Sequence, residues 1–200
     1  MSSRAELRET LLAALAKEAA PSSDFDLNPE VVLPEGRKLR PAAVLLAFEA
    51  TPDGGRLWLT KRSSALKHHP GQIAAPGGKK DDTDPDLVAT ALREAQEEIG
   101  LPAETVEVLG ELPAHETVTG FAMTPIVGLL RQGFTPIPEA GEVAEVFHVP
   151  ASHVQNPANF MVQGRRWRGS RRYYFAVPYG PYYIWGATAR VLRGLAERFT

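Results

Sequence analysis

A glycine pair followed at once by a capped, acidic helix is the feature that most constrains this chain. Residues 76–85 read Pro-Gly-Gly-Lys-Lys-Asp-Asp-Thr-Asp-Pro, and apolar side chains recur at helical spacing through residues 86–101. Asp84 is the predicted N-cap, and Pro85 suits the first helical position. Gly100 is a suitable left-handed C-cap. The sequence therefore predicts one helix that starts directly after a tight glycine turn.

Three carboxylates share one side of this predicted helix. At about 100° per residue, Glu94, Glu97 and Glu98 fall within an arc of about 100°, with Glu98 at the edge of the apolar stripe. Such a carboxylate loses hydration worth several kcal/mol, and Arg93 alone does not balance three anions. Mg²⁺ or Mn²⁺ would balance them, because these ions prefer carboxylate oxygens. The alternative is a solvated acidic face, but the core-edge position beside a glycine loop favours a metal site.

The order of these residues resembles the motif of the Nudix hydrolases: a glycine, a short acidic loop, then Arg-Glu-x-x-Glu-Glu-x-Gly before an apolar residue. The matching residues are Gly78, Arg93, Glu94, Glu97, Glu98, Gly100 and Leu101. The general motif has glutamate where this chain has Asp84, and the spacing from Asp84 to Arg93 is one residue longer here. The resemblance implies a Nudix fold of the α/β (α+β) class, an α/β/α sandwich with a mixed β-sheet. It also implies a diphosphatase that uses Mg²⁺ or Mn²⁺.

Further residues resemble the additional signature of the coenzyme A diphosphatase subfamily. They are residues 59–64 (Leu-Thr-Lys-Arg-Ser-Ser), Lys67, Gly71, residues 76–78 and residues 184–189 (Ile-Trp-Gly-Ala-Thr-Ala). Lys67 stands where the subfamily usually has arginine, and Ala75 where it usually has phenylalanine. The resemblance implies hydrolysis of coenzyme A or its derivatives to 3′,5′-ADP and 4′-phosphopantetheine. Two alternatives stay open: hydrolysis of another nucleoside diphosphate derivative (ADP-ribose, NADH or a dinucleotide), and a non-catalytic nucleotide- or RNA-binding Nudix module.

The same resemblance implies roles for residues of the acidic helix. Arg93, Glu97 and Glu98 are predicted to act in catalysis. Glu94, Glu97 and Glu98 are the predicted metal ligands, with Glu94 and Glu98 in direct contact and the Gly78 carbonyl as a candidate further ligand. Glu97 either binds metal as well or holds Arg93.

A general base is expected from a second segment of the chain. Glu142 and Glu145 are the candidates that could reach the metal, although each also reads as an exposed glutamate at the end of a strand. His115 and Glu116 are further candidates, in a polar loop that could face the same cleft.

Substrate contacts are predicted around the glycine loop. Arg62 and Lys67 can meet the phosphates, including the 3′-phosphate that distinguishes coenzyme A, and Gly77 and Gly78 let the backbone approach phosphate closely. The two histidines at residues 68 and 69 are more typical of a surface or phosphate-contacting loop than of metal ligands, since the expected ions prefer oxygen.

A second basic stretch combines arginines with aromatic side chains. Its members are Arg165, Arg166, Arg168, Arg171, Arg172, Trp167, Tyr173 and Tyr174. They fall on a predicted hairpin over residues 160–167 and 171–177. Basic and aromatic residues together could stack an adenine or bind RNA. The alternative is a solvated hairpin whose arginines point outward.

Composition excludes several other classes. The 200 residues are 44% hydrophobic and 23% charged, and the net charge of −2 does not favour nucleic acid or an anionic membrane. The absence of cysteine excludes disulfides, thiolate metal sites and a cysteine nucleophile. No apolar run is long enough for a membrane helix, and the N-terminus lacks a secretory pattern. We therefore expect a cytoplasmic monomer or homodimer that acts on a small molecule.

The rest of the chain predicts a helix, a connection and one domain. Residues 1–40 read as an amphipathic N-terminal helix (4–19) and an extended connection, and residues 41–200 as the Nudix domain. The predicted strands of that domain are 42–48, 56–61, 106–113, 123–130, 145–149 and the hairpin above. A short helix at 151–156 and a closing helix at 186–199 complete it.

Overall fold

A mixed β-sheet lies at the centre of the computed structural model, which describes residues 4–67, 69–167 and 169–200. The helices are α1 (Arg4–Leu15), α2 (Leu87–Ile99), α3 (Ala151–Gln155) and α4 (Ala187–Ala196). The strands are β1 (Ser22–Ser23), β2 (Arg40–Glu49), β3 (Arg56–Arg62), β4 (Ile73–Ala74), β5 (Gly77–Lys79), β6 (Val106–Glu111), β7 (His115–Glu116), β8 (Phe121–Leu130), β9 (Val143–Pro150), β10 (Met161–Trp167) and β11 (Ser170–Ala176). Short 3₁₀ turns cover Ala103–Thr105, Pro157–Asn159 and Glu197–Phe199. His68 and Arg168, both among the predicted candidates, lie outside the described residues.

Helices cover both faces of the sheet. Helix α2 packs on one face, where its Ala91 and Ile99 share a core with Leu45 of β2. Helices α1, α3 and α4 pack on the other face, in a core that contains the alternate β2 residues Leu46 and Phe48. Burying one such leucine contributes roughly 2 kcal/mol, so burial on both faces explains the continuous apolar run of β2. The predicted α/β/α sandwich with a mixed sheet is confirmed.

The sheet forks along one edge of β2. The opposite edge pairs in parallel with β8. On the forked edge, β5 pairs with the beginning of β2 (Val44 with Gly77) and β3 pairs with its end (Phe48 with Leu57). Past that point β3 pairs with β4 (Thr60 with Ala74) in place of β2, and its other edge pairs with β9 along the whole strand. Gly77 and Gly78, predicted as a loop, therefore form part of a short strand that lies against the backbone of β2.

The N-terminal segment shares the core and the sheet of the remaining chain. Helix α1 places Leu7, Leu11 and Ala14 in the core that also contains α4. Strand β1 pairs with β7 at the edge of the sheet. The helix predicted over residues 4–19 ends at Leu15. Among the described residues, no helix is long and apolar enough to span a membrane.

Helix α2 begins two residues later than predicted. Its N-cap is Asp86, whose carboxylate accepts a hydrogen bond from Ala89 N at 2.8 Å, and the prediction of Asp84 as the cap is wrong. The Asp84 carboxylate is instead engaged by Arg93, nine residues further along. At the other end, Gly100 caps the helix in the left-handed conformation with φ of 70°, as predicted.

The remaining predicted elements are present, with ends shifted by a few residues. Strands β10 and β11 form the predicted hairpin as a separate two-stranded sheet. Arg165 lies opposite Arg172 in this ladder and Arg166 lies opposite Arg171. The role of this hairpin in binding adenine or RNA stays a prediction. The sequence analysis missed the two-residue strands β1, β4 and β7, which are too short to show a periodicity.

Candidate active site

Glu98 is a buried carboxylate that lies beside the glycine pair. It is 5% exposed, and the Gly77 N–H donates a hydrogen bond of 3.2 Å to its Oε2. Arg62 Nη1 is 3.8 Å from its Oε1. Burial, helped by the negative charges of Glu94 and Glu142, raises the pKa of Glu98 to about 7 despite these two contacts. The predicted position of Glu98 at the edge of the core is confirmed.

Glu94 lies one helical turn earlier, in the space that Gly78 leaves free. A Cβ atom added to Gly78 would come within 2.5 Å of Glu94 Oε1. Burial raises the pKa of the Glu94 carboxyl, while the Arg93 guanidinium opposes the rise. The charges of Glu97 and Glu142 act in the same direction as burial. Gly78 therefore allows the two carboxylates of α2 to lie against strand β5.

Arg93 is held in place by Asp84. Its Nε and Nη2 each donate to the Asp84 carboxylate at 3.0 Å, and the Thr90 hydroxyl donates to the same carboxylate at 2.9 Å. This charged hydrogen bonding keeps the pKa of Asp84 well below its usual range and raises that of Arg93. From this anchor, Arg93 Nη1 donates to Glu94 (3.1 Å) and Glu97 (2.9 Å). The sequence analysis missed the roles of Asp84 and Thr90; the one available signal was that Asp84 stands at the glutamate position of the general motif.

The three glutamates of α2 do not form one ready-made metal cluster. No group of three or more His, Cys, Asp or Glu side chains in the part of the chain that the structure describes is arranged to hold a metal ion. The Glu97 side chain is 58% exposed and is drawn to Arg93, whereas Glu98 is drawn to Gly77. Mutual repulsion and these competing partners separate the carboxylates, and the assignment of Glu94, Glu97 and Glu98 as metal ligands stays a prediction.

Two of the carboxylates nevertheless fit a divalent ion. Glu94 is half-buried and Glu98 is buried. Burial raises the pKa of each carboxyl, so the surrounding residues do not fully stabilise the negative charge of the ionised forms. Mg²⁺ commonly uses one or two carboxylates and keeps several waters. The donor set is all oxygen, as such an ion prefers.

Arg62 places an available donor next to Glu98. It is the last residue of β3, where the ladder to β9 shifts register between Lys61 and Arg62. Its Nε is buried and has no hydrogen-bond partner among the described residues. A buried donor without an acceptor costs about 1–3 kcal/mol. An anionic oxygen bound at this point would remove that cost.

The two predicted general bases lie on different sides of the sheet. Glu142 is exposed in the turn before β9, its backbone oxygen accepts from Ser63 N at 2.7 Å, and its charge acts on Glu94 and Glu98. Glu145 lies on the face opposite α2, because Val146 beside it packs into the α2 core. There the Tyr182 hydroxyl donates to Glu145 at 2.5 Å. The structure therefore brings Glu142, but not Glu145, towards the α2 carboxylates.

The other predicted candidates lie apart from the acidic helix. His115 is fully buried on β7, hydrogen-bonded to Ser22 and Asp24, and two strands (β8 and β2) separate it from β5. Glu116 follows it on the same strand, so the expectation that these two face the same cleft needs correction. Lys67 and His69 are exposed on the loop between β3 and β4, where His69 is hydrogen-bonded to Gln72.

Sequence comparisons with known proteins identify the family of this chain. The sequence profile of the NUDIX domain matches residues 38–167. A protein from Cronobacter sakazakii, described as the uncharacterized Nudix hydrolase NudL, is 42% identical over 157 residues, which is 78% of this chain and 81% of that protein. A Salmonella heidelberg protein of the same description is 39% identical over 174 residues, covering 87% of this chain and 90% of that one.

The fold comparison gives the same result. The NUDIX domain of Shewanella oneidensis NrtR, solved with ADP ribose, superposes with a TM-score of 0.52 at 15% identity, over 88% of this chain and 95% of that domain. The chain belongs to the Nudix hydrolase family. The predicted Nudix fold and the prediction of a hydrolase are confirmed.

Proposed function

We propose that this enzyme hydrolyses the diphosphate bond of coenzyme A or a derivative, giving 3′,5′-ADP and 4′-phosphopantetheine. One observation carries the chemical part of the proposal: Glu98, a buried carboxylate with a pKa raised to about 7, lies beside Gly77 and the unsatisfied Nε of Arg62. We place the activity in residues 41–200, and expect a cytoplasmic monomer or homodimer.

The proposed roles follow from what each side chain contacts. Glu94 and Glu98 would hold Mg²⁺ or Mn²⁺, with the Gly78 carbonyl as a further ligand. When bound, such an ion neutralises charge on the diphosphate and lowers the pKa of water. Arg93, fixed by Asp84, keeps Glu94 oriented, and Glu97 holds Arg93 from the outer side. Arg62 would donate to a phosphate oxygen through its free Nε.

Coenzyme A as the substrate is supported by the loop between β3 and β4. The Gly71 N–H donates to the Arg62 carbonyl at 3.1 Å, and the Arg62 N–H donates to the Gln72 carbonyl at 2.9 Å. The loop that carries Lys67 therefore starts and ends at Arg62, beside Glu98. A lysine on this loop supplies a mobile positive charge for the 3′-phosphate.

A substrate panel tests this proposal. The purified protein with Mn²⁺ is expected to cleave coenzyme A with a higher kcat/KM than 3′-dephospho-coenzyme A, NADH or ADP-ribose, measured by product chromatography. A charged contact to the 3′-phosphate corresponds to about a 10- to 100-fold preference. Lys67→Met should remove most of that preference, whereas Arg131→Met, at an exposed position elsewhere, should keep it. Absence of coenzyme A turnover would reject this substrate, and faster cleavage of ADP-ribose or NADH would favour the alternative substrates.

Two matched variants test the general base. Glu142→Gln is expected to lower kcat by about 100-fold or more, because removal of a general base typically costs that much. Glu145→Gln removes the same charge three residues away, on the opposite face of the sheet, and should change kcat by less than about 3-fold. Rapid-quench measurement of the hydrolytic step under Mn²⁺ compares the two. A larger loss in Glu145→Gln than in Glu142→Gln would contradict the assignment.

A further inference from the structure

Two adjoining cavities lie on the side of the sheet away from α2. Their volumes are about 420 Å³ and about 340 Å³, and both are lined by Lys17, Leu112, Pro113 and Arg198. These volumes are in the range of small-molecule sites. Neither cavity is lined by any described residue of α2 or β5, so the cavities are separate from the proposed catalytic site.

Arg198 is a buried cation without a carboxylate partner. It is 7% exposed, and within the described part of the chain its side chain makes one hydrogen bond, from Nη1 to the Ala14 carbonyl at 3.5 Å. Among the described residues, no Asp or Glu oxygen lies within 4 Å of it. The two neighbouring arginines differ: Arg190 pairs with an aspartate and Arg193 with a glutamate, each at 2.8 Å.

The Arg198 guanidinium has donors available to a ligand. It carries five N–H groups, and no carboxylate of the described residues accepts from them. Burial lowers the pKa of Arg198. A carboxylate of a bound molecule would supply the missing partner and accept two of these hydrogen bonds.

The side chains that line the two cavities indicate which class of molecule could bind there. Leu15, Leu112 and Pro113 offer apolar surface next to Arg198. Glu18 lines both cavities, Glu111 the larger and Glu197 the smaller, and these carboxylates would repel a dianion more than a monoanion. Lys17 Nζ already donates to the Thr200 carbonyl at 2.6 Å and adds little. We propose that these cavities bind a small monocarboxylate with an apolar tail, its carboxylate on Arg198 and its tail against Leu112 and Pro113.

Titration calorimetry of the full chain with hexanoate tests this site. We expect saturable binding that Arg198→Met weakens by about 10- to 100-fold, as removal of a charged hydrogen-bond donor does. Gly194→Leu should weaken it by filling the smaller cavity, because a Cβ at Gly194 meets nothing closer than 3.6 Å and leucine suits a helix. Arg131→Met, which removes the same charge from an exposed position, should bind as the wild type does.

The possible outcomes test the existence of the binding site and the chemical class of its ligand separately. Circular dichroism establishes that each variant is folded. Absence of saturable hexanoate binding, or equal binding by wild type and Arg198→Met, would overturn the site. Tighter binding of hexyl phosphate than of hexanoate would overturn the monocarboxylate assignment. Because Arg198 and Gly194 lie outside the proposed catalytic site, coenzyme A turnover should stay within about 2-fold of the wild-type value in both variants.

Discussion

Replacing Glu98 by glutamine should lower the rate of diphosphate hydrolysis by about 100- to 10,000-fold. The metal ion it would hold contributes several kcal/mol to the transition state, and each 1.36 kcal/mol is a factor of ten in rate. Glutamine keeps the size of the side chain, and its carbonyl can still accept the hydrogen bond from Gly77 N. The loss should therefore appear in kcat without loss of the fold.

The same substitution should stabilise the metal-free protein above pH 7. In the folded chain the pKa of Glu98 is raised to about 7, from an ordinary value of 4.5. Between these values the folded state holds a proton that the unfolded state has released, so the contribution of Glu98 to stability is highest below pH 4.5 and falls as the pH rises towards 7. The difference corresponds to a few kcal/mol. Glu98→Gln removes this fall, because glutamine does not titrate.

Urea unfolding at pH 5 and pH 8 with a chelator present, together with coenzyme A turnover under Mn²⁺, measures both effects. Glu104→Gln is the matched control, because Glu104 is an exposed glutamate on a 3₁₀ turn. It should retain the wild-type rate and pH profile. Glu98→Gln that hydrolyses substrate at the wild-type rate would exclude Glu98 from catalysis. An inactive variant that still binds coenzyme A is expected of an enzyme, whereas a non-catalytic nucleotide or RNA reader would show no turnover even in the wild type.

Replacing the adjacent glycines by alanine should have different effects: Gly78→Ala should lower the rate of hydrolysis, and Gly77→Ala should lower the stability of the fold. In Gly78→Ala the new Cβ meets the end of the flexible Glu94 side chain at 2.5 Å, which can move aside. A shift of about 1 Å at a catalytic group costs about 100-fold in rate, with little change in stability. In Gly77→Ala the Cβ meets the Ala43 carbonyl at 2.3 Å and Val44 Cα at 2.5 Å. These backbone atoms of β2 cannot move aside, so we expect a loss of several kcal/mol in unfolding free energy.

Thermal unfolding and kcat/KM for coenzyme A, measured on both variants, separate the two effects. Gly194→Ala is the control, because its Cβ would make only an ordinary contact of 3.6 Å with the Arg190 side chain, and alanine favours a helix. It should be at least as stable as the wild type and fully active. If Gly78→Ala were fully active, the close approach of Glu94 to β5 would have no part in catalysis.

Periodicity predicted the features that depend on neighbours along one helix. The position of Glu98 at the core edge, the Gly100 cap and the reach of Arg93 to Glu97 all follow from the spacing along α2. The prediction of Asp84 as the N-cap of α2 was wrong for a different reason. Asp84 has the right chemistry for a cap, but Arg93 and Thr90 take its carboxylate once the helix is formed, and Asp86 caps instead.

Contacts across the sheet could not be predicted in the same way. Glu142 lies in the turn before β9 and Glu145 lies within that strand on the face away from α2, and the sequence alone determines neither the start of the strand nor its register. The positions of Glu94 and Glu98 likewise depend on Gly78 and Gly77, whose strand is too short to show a pattern. Arg198 gave no signal, since one arginine in a charged turn is ordinary.

Mn²⁺ binding, followed by electron paramagnetic resonance of the free ion, tests the central claim that Glu94 and Glu98 hold a divalent cation. We predict that the wild type binds Mn²⁺ more tightly as the pH rises through 7, and that Glu94→Gln and Glu98→Gln each weaken binding by at least about 10-fold. Glu104→Gln should bind as the wild type does. Equal affinity in the wild type and the Glu94→Gln/Glu98→Gln double variant would contradict the account.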